Sequence, residues 1–333
     1  MTPDVLDTVV IGAGVAGLAA AHDLQATGQR VRVLDKARGV SGRASTRRVT
    51  TPDGRDARLD HGARFFTARH DRTKELARSG IADGWLREWT RGIARWQDGT
   101  VSDPRPDGHP RYVPPEGMST LGKTLARGLD VQPGVTVTGL GRHADVWHVS
   151  DASGVVARAR TVLLNVPAPQ LRPLLAGLDV PVPDVAFAPA WAAGVVLNAD
   201  IQAEWPALEL RGHPTLEWIA REHTRRPAGH PPALMLHATP EWSRANLERT
   251  PDEVLPELLD AAREVLGELP DIATAFAHRW RYATPERRAA GAGHWDAALR
   301  VGLCGDGFTP DEHGPRIEAA LLSGWWVAQQ ATL

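Results

Sequence analysis

Apolar and polar positions along this chain fall into blocks whose period switches repeatedly between two and about 3.6. That switching predicts a mixed α/β molecule. The β-branched run Thr8-Val9-Val10-Ile11 reads as a strand, residues 18–24 as an apolar helix, and Val31-Arg32-Val33-Leu34 as a second strand. Residues 45–49 and 58–60 suggest two strands joined by the turn Pro52-Asp53-Gly54. Polar helical sequence runs from about 71 to 88, and 96–109 is turn-rich, with Asp98-Gly99 a good hairpin turn. Ser119 or Thr120 is placed to cap a helix. Residues 135–140 alternate like a strand, and Trp147-His148-Val149 with Val155-Val156 extend a small meander. The unbroken apolar run 161–166 predicts a buried strand. Strands are further expected at 193–197 and 233–237, and helix over 251–266. A strand from Val301 ends on Gly305-Asp306, and a closing apolar helix covers 317–331.

At 333 residues the chain can bury one large core or two interlocked ones. Its net charge of −2 makes no electrostatic case for nucleic acid or a membrane surface. A single cysteine, Cys304, excludes an intramolecular disulfide and suits a reducing cytoplasm, the expected location. Seven mostly polar residues precede the first strand, so no signal peptide is expected, and no apolar run reaches membrane-spanning length. Arginine greatly outnumbers lysine, whose three copies sit at 36, 74 and 123. Tryptophan, with 12 copies against two tyrosines, recurs in the middle region as Trp191, Trp218, Trp242 and Trp280. Any one of these is first of all core or interface filler.

The chemistry starts at residues 8–43. Gly12-Ala13-Gly14-Val15-Ala16-Gly17 lies between strand and helix, and Asp35 ends the second strand 21 residues after Gly14. Gly12 permits a tight turn, Gly14 lets the backbone approach a pyrophosphate, and Gly17 lets helix and strand pack closely. The helix N-terminus offers N–H groups to the phosphates, and Asp35 is placed for ribose hydroxyls. Beyond it, Lys36, Arg38, Gly42 and Arg43 form a basic, glycine-containing loop. A nicotinamide-binding domain has no need of such a loop, whereas FAD carries a second phosphate that wants a further forked donor. The competing reading is a solvated basic loop.

The clamp, together with several later phrases, resembles the glutathione-reductase-like flavoproteins in their amine-oxidase-related branch, and within it the bacterial renalase family. The phrases are Asp60-His61-Gly62-Ala63-Arg64-Phe65-Phe66, Leu236-His237-Ala238-Thr239-Pro240, Ala277-His278-Arg279-Trp280-Arg281-Tyr282 and Cys304-Gly305-Asp306. The resemblance spans nearly the whole chain. It implies an FAD-binding Rossmann-like domain made of 1–67, 116–167 and 296–333, interleaved with an α+β substrate domain of 68–115 and 168–295. A pocket is expected at their interface.

Carried over by position, Asp35 would hold the adenosine ribose, Arg43 the pyrophosphate, and Val137 would pair its backbone with adenine. Asp306 would touch the ribityl or phosphate region, unless it merely caps a turn. The N–H groups of Ile317 and Glu318 would face the flavin pyrimidine. Gly12, Ala13, Gly14, Ala16, Gly17, Lys36, Arg38, Gly42, His61, Gly62, Asn165, Gly305 and Arg316 complete the expected cofactor lining. Two departures stand out: Ala319 where glycine is common, and a histidine at 61.

The implied reaction removes hydride from dihydronicotinamide isomers reduced at ring position 2 or 6, regenerating NAD(P)+ and passing electrons to O2 to give peroxide. Aromatisation of the ring makes a general base unnecessary. Amine oxidases of the related branch place a lysine from late in the chain near the flavin, and none exists here after 123. Candidate pocket residues are His237, Trp191, Arg279, Trp280 and Tyr282, with Arg64 and Phe66 from the cofactor side. Each competes with a purely structural role. No histidine pair has metal-ligand spacing. The expected partners are a small dinucleotide and O2. Oxidation of an amine, desaturation of a small hydrophobe, and a non-catalytic FAD-binding module stay open as alternatives.

Overall fold

The computed structural model describes residues 4–314 and 316–333. They fold as two compact units, each built from separated stretches of chain: Met1–Ala44, Ser119–Ala186 and Pro285–Leu333 form the first, Ser45–Met118 and Phe187–Thr284 the second.

The first unit is a Rossmann-like layer. Its eight-stranded sheet runs His294–Asp296, Val301–Leu303, Gly154–Leu164, Val5–Ile11, Val31–Asp35, Asp130–Pro133, with Val146–Asp151 and Gly139–His143 attached through Gly154–Leu164. The four central pairings are parallel. Parallel neighbours need crossovers and buried faces, and Val9 and Val10, on opposite faces, are both fully buried. The helix Val15–Ala26 follows the first strand, and the closing helix Ile317–Thr332 packs on it. Contact is close because Gly324 lies directly on the Ala16 carbonyl.

The second unit is a seven-stranded sheet in the order Ile272–Arg287, Ala186–Leu197, Ala233–Ala238, Leu216–Arg221, Ala207–Arg211, Arg87–Gln97, Thr100–Val113. Its two faces differ. Leu234, Leu236 and Ala238 point into an apolar cluster shared with the helix Pro251–Leu266, which buries Val254, Leu258, Ala261 and Ala262. Thr250 and Glu253 form a capping box that fixes where this helix begins. The alternate residues Ala233 and Met235 face Ala57, Leu59, Ala192, Trp218 and Phe276. Strand periodicity puts His237 on that second face.

Several expected elements shift. The helix over 71–88 stops at Ala82, because Gly80 accepts the Trp85 ring against it and its carbonyl takes the Leu86 N–H. The turn-rich reading of 96–109 gives way to one long irregular hairpin. Its turn is Asp98-Gly99, both at positive φ, and its register shifts absorb Pro104 and Pro106. The strand expected over 135–140 is a connector after the Gly134 turn, flanked by Asp130–Pro133 and Gly139–His143. Val155-Val156 and the 161–164 run are one bulged strand, Gly154–Leu164.

Segment 45–67 clusters with the second unit. Its hairpin, Arg47–Thr50 and Asp56–Leu59, is held there by Leu59 against Gly194 and by the Asp60 contacts described below. Residues 168–186 and 285–295 cluster with the first, where Leu171 and Leu174 join the apolar core and Trp295 pairs with Gly302. No described helix is long and apolar enough to cross a membrane.

Candidate active site

Asn165 explains the glycine spacing of the clamp. It follows the strand Gly154–Leu164 and anchors its backbone N–H on the Ile11 carbonyl at 2.8 Å. A Cβ on Gly14 or Gly17 would lie 2.8 Å from its Nδ2, and one on Gly12 would strike its carbonyl. Gly12 also sits at φ +107°, where side chains are strained. Gly42 packs on the Gly14 Cα, and Ser41, its N–H on the Ala13 carbonyl, brings the basic loop against the clamp. The helix that follows has Gly14 as N-cap, with no side-chain cap and no acid in its first turn. Its N-terminal N–H groups and dipole are therefore presented to an anion at the glycine turn.

Asp35 accepts the Ala13 N–H at 2.6 Å and the Ala37 N–H at 2.7 Å. Its carboxylate braces the turn. Arg43 and Asp306, expected on separate parts of the cofactor, are forked partners, Nη1 to Oδ2 at 3.0 Å. Gly305, at φ +145°, donates to the Ser323 hydroxyl at 2.9 Å and turns the chain out of its strand. The closing helix begins at Ile317 without a side-chain cap, and buried Glu318 is paired with Arg316 at 2.6 Å. Lys36 reaches Gln170, and Arg38 is exposed. Val137 lies in the connector after Gly134 and packs at the edge of the core. Glycines that an added Cβ would overfill, an uncapped helix start and the paired Arg43 suit a dinucleotide with two phosphates. The residues fit FAD.

The second unit gathers a different set. Trp280 donates its indole N–H to the His61 carbonyl at 2.7 Å and stacks on the His61 ring, 5.3 Å between centroids and 21° between planes. His278 meets both edge-on. Burial and the neighbouring His278 push the His61 pKa down to about 4. Gly62 follows, half-buried. Nearby, Arg64 donates through Nε to His237 Nδ1 at 3.0 Å, pairs with Glu217, and lies 4.8 Å over the Trp218 ring. His237 is 7% exposed, and burial with Arg64 holds its pKa well below the ordinary value. Its Nε2 and the Trp218 Nε1 are buried with no hydrogen-bond partner among the described residues.

Beneath lies a buried ion network. Asp60 accepts from Arg226 and Thr46, each at 2.6 Å, and from the Met118 N–H at 2.8 Å. Glu222 accepts from the Asp60 N–H and from Arg226, and burial pushes its carboxyl pKa up. Arg225, fully buried, lies 4.3 Å over Trp89 and 3.0 Å from Glu222. Three guanidiniums, of Arg64, Arg225 and Arg226, thus meet three carboxylates, of Asp60, Glu217 and Glu222.

Not every candidate joins this face. Trp191 is fully buried in the opposite apolar cluster, its indole N–H on the Asn246 carbonyl. Arg279 alternates away from Trp280, donates to the Leu247 carbonyl and approaches Glu248. Phe66 is 1% exposed and is locked to Tyr112 by two backbone bonds within the second unit. Tyr282 packs on Phe187. Conversely, Glu217, Glu222, Arg225, Arg226 and His278 belong to this face without standing out in the sequence. The available signal was Glu222 three and four residues before an Arg-Arg pair, a charge run that reads as solvated surface when burial is unknown.

The first unit thus carries a glycine clamp on its mostly parallel sheet, and the second an aromatic and charged face on its own sheet. Residues 102–332 match the family model for flavin containing amine oxidoreductases, and 10–79 that for an NAD(P)-binding Rossmann-like domain. The chain belongs to the flavin containing amine oxidoreductase family, and its cofactor is FAD. Its fold is similar to a putative protoporphyrinogen oxidase from Exiguobacterium sp. 255-15, with TM-score 0.78, 14% identity and 98% and 99% of the two chains covered. It is also similar to cyclohexylamine oxidase from Brevibacterium oxydans IH-35A, with TM-score 0.72, 12% identity and the same coverage. Putrescine oxidase bound to putrescine matches with TM-score 0.71 at 13% identity, again over 98% and 99%.

Proposed function

We propose that this chain is a renalase-type oxidase that takes hydride from 2- or 6-dihydronicotinamide isomers of NAD(P)H. The balanced reaction is dihydronicotinamide plus O2 plus a proton, giving NAD(P)+ and hydrogen peroxide. Bound FAD supplies the two-electron acceptor that hands the electrons on to oxygen.

The observation that carries this reading is the pair of unpartnered buried donors, Trp218 Nε1 and His237 Nε2, beside Arg64. Buried donors of this kind call for an acceptor. The charges around them balance, so a neutral acceptor such as a carboxamide oxygen suits them better than a carboxylate does. A protonated amine would set its own N–H groups against a wall of donors. The flat His61–Trp280 stack in the same unit is suited to a planar ring. Hydride loss aromatises that ring, so the residues need only bind, orient and exclude water.

A second reading, oxidation of an amine, draws on the family itself. The lack of any lysine beyond Lys123 argues against it. An anaerobic donor screen on the purified flavoprotein separates the readings. Chemically isomerised NADH is expected to bleach the flavin, with peroxide appearing on admission of air. Bleaching by small amines and not by the isomers would overturn the proposal, and a flavin that stays oxidised with every donor would favour a non-catalytic module.

A further inference from the structure

We infer that Arg64 is a specificity-determining positioning residue, which locks His237 into the neutral form that carries its proton on Nε2. The Arg64–His237 hydrogen bond alone fixes the tautomer. A guanidinium has donors and no acceptor. Because Arg64 Nε donates to His237 Nδ1 at 3.0 Å, that nitrogen presents a lone pair, and the ring proton sits on Nε2. Protonating the ring would set N–H against N–H next to a fixed cation, in a residue 7% exposed.

The lock is itself held. Glu217 grips Arg64 Nη2, and the Trp218 ring supports the guanidinium from below. Across the sheet His237 pairs with Ala192 and Trp218, neither of which titrates. The charged groups that face it are Arg64 and Arg225, with Glu217 and Glu222 behind them, and neutral His61 beyond. None of these offers His237 Nδ1 a competing acceptor.

Two consequences follow for specificity. His237 is an obligate donor, so it selects a ligand acceptor and rejects an ammonium. It also lacks a lone pair toward its free side, so it cannot serve as a base for substrates that must lose a proton. Which acceptor it meets rests on the proposed dihydronicotinamide reading, whereas the lock does not.

The test is histidine-selective 15N spectroscopy of the flavin-loaded enzyme, with the His237 signals assigned by their loss in H237Q. One bare and one protonated ring nitrogen are expected, unchanged between about pH 5 and 8. R64M should mix the two tautomers or let the ring titrate, whereas R64K, whose ammonium also only donates, should restore the single form. With the donor found in the screen, R64M should raise KM about tenfold while kcat changes little. A proton on Nδ1, a wild-type ring that titrates in that range, or an R64M spectrum identical to wild type would each overturn the inference. The wild-type spectrum suffices if R64M fails to fold. A screen that finds only amine donors would sink the proposed function and leave the tautomer result standing.

Discussion

The two units are built to recognise their proposed ligands by opposite means. In the first, backbone would do the recognising: three glycines packed on Asn165 and an uncapped helix start offer a seat for phosphate. In the second, on the proposed reading, side chains do it, from a face where three arginines meet three acids and the Trp218 and His237 donors lack a hydrogen-bond partner among the described residues. A cofactor that never changes can be held by backbone, which mutation cannot easily alter. A substrate must be distinguished from its neighbours, and only side-chain polarity does that.

Damage to the backbone seat should be the most severe. Gly17→Val would drive a side chain into the Gly12 carbonyl and Asn165. The cost, on the order of 3 kcal/mol or more, weakens cofactor affinity roughly a hundredfold. The protein should purify colourless, as flavin absorbance would report. Next comes Arg226→Met, which leaves Asp60 and Glu222 buried without their main partner. It should lose about 3–5 kcal/mol in urea unfolding. If the loss is small, the buried network is not what holds the second face.

The His61 ring gives a smaller, pH-dependent effect. Its folded pKa of about 4 lies below the unfolded value of 6.5. The unfolded chain therefore binds more protons between these values, and stability falls as pH drops through that window. The gap corresponds to at most roughly 3 kcal/mol. His61→Gln should flatten the dependence in unfolding curves taken at about pH 4 and pH 7. Smallest is Arg32→Ala, which breaks the solvent-screened pair with Asp130. Unfolding should move by no more than about 1 kcal/mol.

Legibility in the sequence follows the same division. The clamp was readable because backbone recognition is local: Gly12 to Asp35 carries the glycines, the strands and the acid in one stretch. Helix 251–266 was readable because Thr250, Glu253 and its apolar spacing agree. Asn165 was placed with the cofactor, yet its part in the glycine spacing needed a register between strands more than 150 residues apart. The second face was harder. Trp191 and Trp280 look alike as letters, and only strand alternation and the Asn246 carbonyl separate core from slab. Glu222 and Arg225 look like surface charge until Asp60, from far earlier in the chain, is folded onto them.

Asn165 has a consequence for how the molecule comes to exist. The glycine turn spans residues 12–17, but the strand that seats it ends at Leu164 and the helix that packs on it ends at Thr332. Such distant pairings form slowly and late. Until that helix is made, the nascent chain would carry an unfinished phosphate seat, open to wrong partners. Flavin capture waits for the helix Ile317–Thr332, and truncation ahead of Gly324 should abolish it.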